Sequence, residues 1–380
     1  MTALAGGLAL LSLAFFAWSY VFYPPLIARR AARSAPPAGA AAEALTVEVL
    51  VSAADEEPVI GARIANLLAQ EGVPGLAIAV GCDGCSDATA AAARAAGGGR
   101  AALRVVEFPS RRGKASVLND LVRESTAEVL VFTDANTLFE PGAVRALLGA
   151  FGDPSVGAVC GRLVFETAPG ARATPEAAYW DRETRLKEAE GRLGVCLGAN
   201  GAIYAARRAL VAPLAEDTTS MDDFLIPVRV ARSGGRVVFA ADAVAREETA
   251  RDVAAEVARR ARIGIGAGQV LRRERWLYAA AEHPLLTLAF LSRKAARWLA
   301  PVLALAAAAA ALVAPGLRLA GAAVLAASAA LLAVARGKPR LRGAGGRLYY
   351  FAVLNVALAL GVAAGLAGYA RPVWNRTARS

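Results

Sequence analysis

Four long apolar runs constrain this chain more than anything else in it. Residues 3–23, 298–315, 317–335 and 348–370 are almost free of charge, and each approaches the roughly 20 residues a helix needs to cross about 30 Å of hydrocarbon. Lipid offers backbone groups no hydrogen-bond partner, so such runs fold as helices. The chain is expected as one soluble region held between an amino-terminal span and a carboxyl-terminal trio. No small-residue cleavage site precedes a polar start after the first run, which reads as an anchor and not as a signal peptide. The division is then anchor 1–27, linker 28–44, soluble domain 45–275, interfacial segment 276–297, three spans 298–370 and tail 371–380.

Basic residues set the expected orientation. Arg29, Arg30 and Arg33 follow the first run, Arg293, Lys294 and Arg297 precede the second, and Arg336, Lys338, Arg340, Arg342 and Arg347 separate the last two. The loop near Pro315 carries only Arg318. The positive-inside tendency puts the soluble region in the cytoplasm, here at a bacterial inner membrane, and the amino terminus outside. One feature disagrees: four crossings deliver Arg371, Arg376 and Arg379 to the outside. Either the tail is an exception or one apolar run is re-entrant or interfacial.

The excess of 43 basic over 32 acidic residues, net +11, is concentrated at these span ends, without an aromatic-interleaved basic module. It fits contact with membrane lipids and not with nucleic acid. Cys82 and Cys85 form a C-x-x-C with no second pair, and Cys160 and Cys196 stand apart. They read as small turn residues in preference to a zinc or redox site. The lone His283 lies near the membrane entry and reads as an interfacial residue.

Between the membrane segments the pattern alternates. Residues 45–53, 76–82, 103–108 and 128–134 are short apolar runs, each followed by a helical pattern of about 10–15 residues. That spacing predicts right-handed βαβ units and an α/β fold, a mostly parallel sheet flanked by helices. Runs at 156–165, 201–208 and 236–240, interrupted by a charged helix at 175–191, extend the sheet in mixed fashion.

Ligands of open α/β sheets gather beyond the carboxyl ends of the strands. Those ends present Asp55-Glu56-Glu57, then Asp83-Gly84-Cys85-Ser86-Asp87, then Arg111-Arg112-Gly113-Lys114, and finally Asp134-Ala135-Asn136. Acids can accept hydrogen bonds from a base or ribose, and the basic end can meet phosphate. Asp134 and Asn136, one residue apart, offer oxygens to Mg²⁺ or Mn²⁺, which in turn holds a diphosphate. Alone, Asp-Gly is usually a turn and paired glutamates complement a helix dipole; together at successive strand ends they suit a nucleotide. Asp222-Asp223 opens a helix, either as a cap or as a pair in which one carboxylate takes a proton from a hydroxyl. Downstream, Arg259 and Arg262 share a helix face, leading into small residues at 263–269 that permit close backbone approach.

The ordered motifs VSAADEEPVI, GCDGCSDAT, RRGKASVLN, FTDANT, GANGAIYA, MDDF and RRARIGIGAGQ resemble the membrane-embedded family-2 glycosyltransferases, the group of cellulose and hyaluronan synthases. The resemblance covers residues 46–269. It implies a GT-A-like fold, a nucleotide-sugar donor, often a UDP-sugar, and inversion at the anomeric carbon. By it, Glu56 and Asp83 contact the nucleoside, Lys114 and Arg259 lie on the donor side, and Asp134 with Asn136 fills the metal-binding D-x-D. Asp223, beside Asp222, is the general base, Arg262 assists the leaving group, and Gly198, Asn200 and Gly201 line the acceptor side.

Departures narrow the expectation. Asn136 replaces the second aspartate and removes one charge from the metal site. Arg259 and Ile263 replace Gln and Trp of the Q-x-x-R-W associated with processive polymers, so transfer of one or a few sugars to a lipid-linked or saccharide acceptor is favoured. Two other classes compete: a non-catalytic member acting as a membrane scaffold or export partner, and a membrane nucleotidyl or sugar-phosphate transferase.

Overall fold

The computed structural model describes residues 1–34, 45–166, 175–248, 253–337 and 343–372. Part of the predicted linker, part of the basic loop before the last span and the tail beyond Pro372 lie outside these. The chain forms two compact units, one of Ile27–Thr249 with Pro372–Arg376, the other of Met1–Leu26 with Ala250–Arg371 and Thr377–Ser380. At the start, α1 (Thr2–Ala17) and α2 (Tyr23–Ala31) are joined by a π-helical turn into one long helix.

The first unit is an α/β sheet. In chain order it contains β1 (Val47–Ala53), α3 (Glu57–Leu68), β2 (Ala77–Asp83), α4 (Thr89–Gly97), β3 (Leu103–Phe108) and α5 (Lys114–Glu124). Then come β4 (Val129–Asp134), β5 (Leu138–Phe139), α6 (Ala143–Gly149), β6 (Val156–Glu166) and α7 (Pro175–Arg192). The unit closes with β7 (Tyr204–Arg207), α8 (Asp222–Arg232) and β8 (Arg236–Glu248). The eight strands lie in the order β3-β2-β1-β4-β7-β6-β8-β5. The first four pair in parallel, as the alternating pattern predicts. Beyond them β7 runs antiparallel between β4 and β6, and β8 returns parallel to β6.

Covering helices explain why the early strands read as unbroken apolar runs: every residue of β1 is buried, from both faces of the sheet. On one face Ile60, Ile64 and Leu67 of α3 pack with Val49, Val51, Val129 and Val131, each side chain contributing about 1.5–3 kcal/mol on burial. On the other, α5 sits so close that a Cβ on Gly81 would lie 2.4 Å from Val117 Cγ1, so only glycine fits under the helix. Strand order reverses at β1, which pairs with β2 on one side and β4 on the other. That switch point opens a crevice at the carboxyl ends, where Ser52 pairs in register with Asp134.

The second unit adds α9 (Val253–Arg273), α10 (Pro284–Ala289), α11 (Ala296–Leu312), α12 (Arg318–Arg336) and α13 (Gly343–Leu366). Among the described residues, four segments are long and apolar enough to cross a membrane: Thr2–Ala31, Pro284–Leu312, Arg318–Arg336 and Leu348–Leu366. The second begins well before residue 298, because α10 and α11 join through a π-helical turn that carries Arg293 and Lys294. Small polar groups tie α1 to this helix: Ser12 Oγ donates to Ala300 O at 2.8 Å and Ser19 Oγ to Ser292 O at 2.6 Å. Trp18 Nε1 donates to Ser292 Oγ at 2.9 Å.

Candidate active site

Lys114 organises the crevice. It is the first residue of α5, and its ammonium donates to Asp134 Oδ1 at 2.8 Å and lies 3.1 Å from Asp222 Oδ2. Burial alone would pull its pKa down, but Asp134 and then Asp222 outweigh burial and hold the ammonium above its usual range. Asp222 also accepts from the Tyr204 hydroxyl at 3.1 Å, and Tyr204 stacks on Phe132 with ring centroids 4.7 Å apart. Burial, then Asp222 and Asp223, raise the Tyr204 pKa, which keeps the phenol a proton donor. One cation and one phenol thus fix a carboxylate from β4 and another from α8.

Asp223 enters the same space from the next position. The chain approaches it through Ser220 and Met221, both left-handed with φ of 55° and 74°, a conformation costing about 1–2 kcal/mol per non-glycine residue. The Asp223 carbonyl accepts from the Ala199 amide at 2.8 Å, which pins the helix start to the loop before β7. A Cβ on Gly201 would lie 3.3 Å from Asp134 Oδ2 and 3.9 Å from Asp223 Oδ2. Two carboxylates from distant parts of the chain therefore face one glycine cradle.

Asp83 works through the backbone. Its side chain is fully buried, with Oδ1 accepting from the Arg112 amide at 2.7 Å and Oδ2 from the Gly113 amide at 2.9 Å. It shapes the turn that presents Lys114, and Gly113 within that turn has a φ of 97°. Asp55 reaches across to accept from the Ser86 amide at 2.7 Å and from Arg111, whose guanidinium is the main reason the Asp55 carboxyl titrates below its usual range. Glu56 is buried, its amide donating to Thr89 Oγ1 at 2.8 Å.

Asp55, Cys85 and Asp87 bring three ligand atoms within 4.8 Å, but these carboxylates already brace Ser86, Arg111, Thr89 and the Glu57 amide. None of the four cysteines is in a disulfide among the described residues, and burial pushes the Cys82 thiol up to about 12, which suits a small core residue.

The other expected positions fall differently. Asn200 is buried with its oxygen on Lys187 and its amide donating to Gly161 O at 3.1 Å, so it braces the loop next to Gly201. Gly198, with φ of 73°, makes the turn before it. Asn136 follows Asp134 and is half-buried. Arg259 and Arg262 lie on α9 in the other unit, where Arg259 pairs with Glu256 at 3.5 Å.

Sequence reading missed two residues that position Asp134. Arg63 on α3 is fully buried, lies 4.0 Å over the Phe139 ring, and donates to Thr133 Oγ1 at 2.8 Å and Asn66 Oδ1 at 2.7 Å. Asn66 in turn bonds both the amide and the carbonyl of Phe139, each at 2.8 Å. The pair clamps both ends of the turn bearing Asp134 and Asn136. The available signal was an arginine within the apolar stripe of Ile60, Ile64 and Leu67.

Three solved structures illustrate what the chain is similar to. The mannosyltransferase PcManGT from Pyrobaculum calidifontis, in complex with GDP-Man and Mn²⁺, superposes with a TM-score of 0.64 at 24% identity, over 94% of this chain and 99% of its own. It carries the likeness of fold, GT-A. Glucosyl-3-phosphoglycerate synthase from Mycobacterium tuberculosis matches at 20% identity and TM-score 0.37, over 54% of this chain and 71% of its own. A mycobacterial protein matches at 26% and 0.38, over 57% and 72%; neither is close enough in shape to bear argument. No curated protein matches. The model of the glycosyltransferase like family 2 matches residues 44–266, more than half of the sequence, and the chain belongs to that family.

Proposed function

We propose that the protein is an inverting glycosyltransferase that moves a sugar from a nucleotide-sugar donor to a hydroxyl of a lipid-linked or growing saccharide acceptor, with its catalytic unit on the cytoplasmic face of a bacterial inner membrane. One observation carries the reading: Lys114 bridges Asp134 and Asp222, while Asp134 and Asp223 face the same cradle at Gly201. The PcManGT complex with GDP-Man and Mn²⁺ supports a nucleotide sugar and a divalent cation on this fold. UDP is taken as the nucleotide from the resemblance among family members, with GDP as the alternative that PcManGT raises.

The residues fit a hard cation. Asp134 Oδ2 faces the cradle while Oδ1 engages Lys114, and Asn136 supplies a second oxygen donor, the ligand type Mg²⁺ and Mn²⁺ prefer. When bound there, the cation neutralises charge on the departing diphosphate. Lys114 adds a fixed positive charge at the same place. Asp222 is engaged by Tyr204 and Lys114, and Asp223, whose Oδ2 lies at the Gly201 cradle beside Asp134, is the base in this reading: it takes the acceptor proton as the hydroxyl attacks the sugar opposite the leaving group.

The test is release of nucleoside diphosphate by purified full-length protein in detergent with Mn²⁺ and a panel of UDP- and GDP-sugars. Release of pyrophosphate or a nucleoside monophosphate would assign the other transferase chemistry. Failure to bind any nucleotide would assign the scaffold role.

Two variants probe the cradle and its support. Gly201→Ala places a methyl 3.3 Å from Asp134 Oδ2, so donor KM is expected to rise roughly tenfold, about 1.4 kcal/mol, with little change in Tm. An unchanged KM would remove Gly201 from the donor pocket. Arg63→Met leaves Thr133 and Asn66 without their buried donor and is expected to cost about 1–3 kcal/mol of stability. Because those partners hold the metal-site turn, half-saturating Mn²⁺ should also rise; a lowered Tm with unchanged Mn²⁺ dependence would confine Arg63 to packing.

A further inference from the structure

Helices α9 and α13 lie side by side with their backbones touching. A Cβ on Gly264 would come within 2.5 Å of Leu358 O, and one on Gly268 within 2.4 Å of Val362 O. From the other side, Gly361 would meet Ala261 O at 2.2 Å and Gly365 would meet Ile265 O at 2.1 Å. The residue numbers on both helices rise together along the seam, so the two run parallel. Val253 and Val257 in the first turns of α9 pack with Val353 and Leu354 of α13, and Arg272 in the last turn of α9 lies next to Gly368, just past the end of α13. Contact this close, along nearly the whole of α9, gives the pair one orientation in a bilayer.

Charges on α9 decide that orientation. Glu256, Arg259, Arg260 and Arg262 occupy its first half and Arg272 and Arg273 its end. The uncharged stretch between them, residues 263–271, is about 13 Å long at 1.5 Å per residue, under half the roughly 30 Å of a hydrocarbon core. If α13 stood across the membrane, α9 would stand with it and place arginines in lipid.

The chain beyond α13 gives an independent constraint. Pro372 belongs to the catalytic unit, and its carbonyl oxygen is 2.6 Å from where a Cβ on Gly113 would lie. The chain therefore leaves the catalytic unit after β8 and is back on the same side of the membrane by Pro372. An even number of crossings lies between, although three apolar helices do. Helices α11 and α12 form a tight hairpin, with Ala308 O 2.6 Å from a Cβ on Gly321 and a short connection at 313–317; they account for two.

We propose that three helices and not four cross the bilayer, α1, α11 and α12, and that α13 lies with α9 in the cytoplasmic headgroup interface before the chain returns to the donor-side turn at Gly113. The partner of the pair is the membrane surface itself. Exposed Leu348, Phe351 and Leu366 of α13 meet acyl chains near the interface, and the arginines of α9 meet lipid phosphate. The rest of the apolar surface of α13 is partly covered by α12: Tyr349 donates to Leu331 O of α12 at 3.3 Å, and Val353 and Leu354 pack with Ala335. Topology and charge then agree, since every arginine-rich segment, Arg371, Arg376 and Arg379 included, falls on the cytoplasmic side.

The proposal rests on the membrane reading of the protein but not on its chemistry. The full chain, expressed in a bacterial host, is fused after Ser380 either to green fluorescent protein, which fluoresces only in the cytoplasm, or to alkaline phosphatase, which is active only outside. Fluorescence with an inactive phosphatase is the expected result. An active phosphatase overturns the proposal and restores four crossings. As a second measurement, Ser380→Cys is treated in intact cells with a membrane-impermeant maleimide, with Pro315→Cys as the outward-facing reference. Labelling of Pro315→Cys alone supports three crossings, and labelling of both overturns them. Neither readout needs turnover, so loss of the glycosyltransferase reading and loss of this topology are separately visible.

Discussion

Asp223→Asn should lower kcat by roughly 10²-fold or more while leaving donor KM nearly unchanged. The asymmetry follows from where the two aspartates lie. Asp222 holds Lys114 and Tyr204, so its loss would disturb the donor side as well. Asp223 adjoins the cradle at Gly201 together with Asp134, and its amide replacement keeps the shape, the helix start and the backbone contact to Ala199. The capacity to take a proton disappears. A rapid-mixing or steady-state assay of diphosphate release separates the two parameters. Normal turnover would remove Asp223 from the mechanism, and a parallel rise in KM would place it in donor binding.

The sequence made some of this site legible and hid the rest for physical reasons. Strands β1, β2 and β4 were readable because helices cover both faces of the sheet, which demands unbroken apolar runs. The acids and bases at their ends were readable because an α/β topology sends successive carboxyl ends to one edge. β5 is two residues long and, among the described residues, pairs with β8 alone, so no period could announce it. Tyr204 and Arg63 stayed hidden because their roles exist only across strands: a tyrosine beginning a strand and an arginine in a helix stripe acquire meaning from Asp222 and Thr133.

Burial reassigns other residues without moving them. Asp83 falls at the expected strand end, yet both its oxygens hold backbone amides; a motif fixes where a carboxylate sits, and packing fixes what it touches. Asn200 is the same case, spent on Lys187 and Gly161 next to the glycine that forms the cradle. The small residues at 263–269 were legible as a surface for close approach, while their partner, the glycines of α13, lies far along the chain with no pattern linking the two.

Asp134→Ala is expected to abolish the metal response. In the native protein its Oδ1 neutralises Lys114 and its Oδ2 faces the cradle, so the substitution removes the one full negative charge of the D-x-N pair and leaves Asn136 as a neutral ligand. Loss of the electrostatic support that the site gives to a departing diphosphate corresponds to a rate deficit of roughly 10²-fold or more. Lys114 retains Asp222, so the fold should persist and the deficit should appear in donor binding and turnover rather than in Tm. Titration with Mn²⁺ provides the check: the native protein should saturate and lose activity in EDTA, and Asp134→Ala should show neither behaviour. If the native protein ran equally fast in EDTA and in Mn²⁺, the cation would have no part in the reaction and Lys114 would be the principal charge facing the diphosphate. In that event Lys114→Met, and not Asp134→Ala, would be the more damaging substitution, which makes the pair of variants decisive between the two sources of charge.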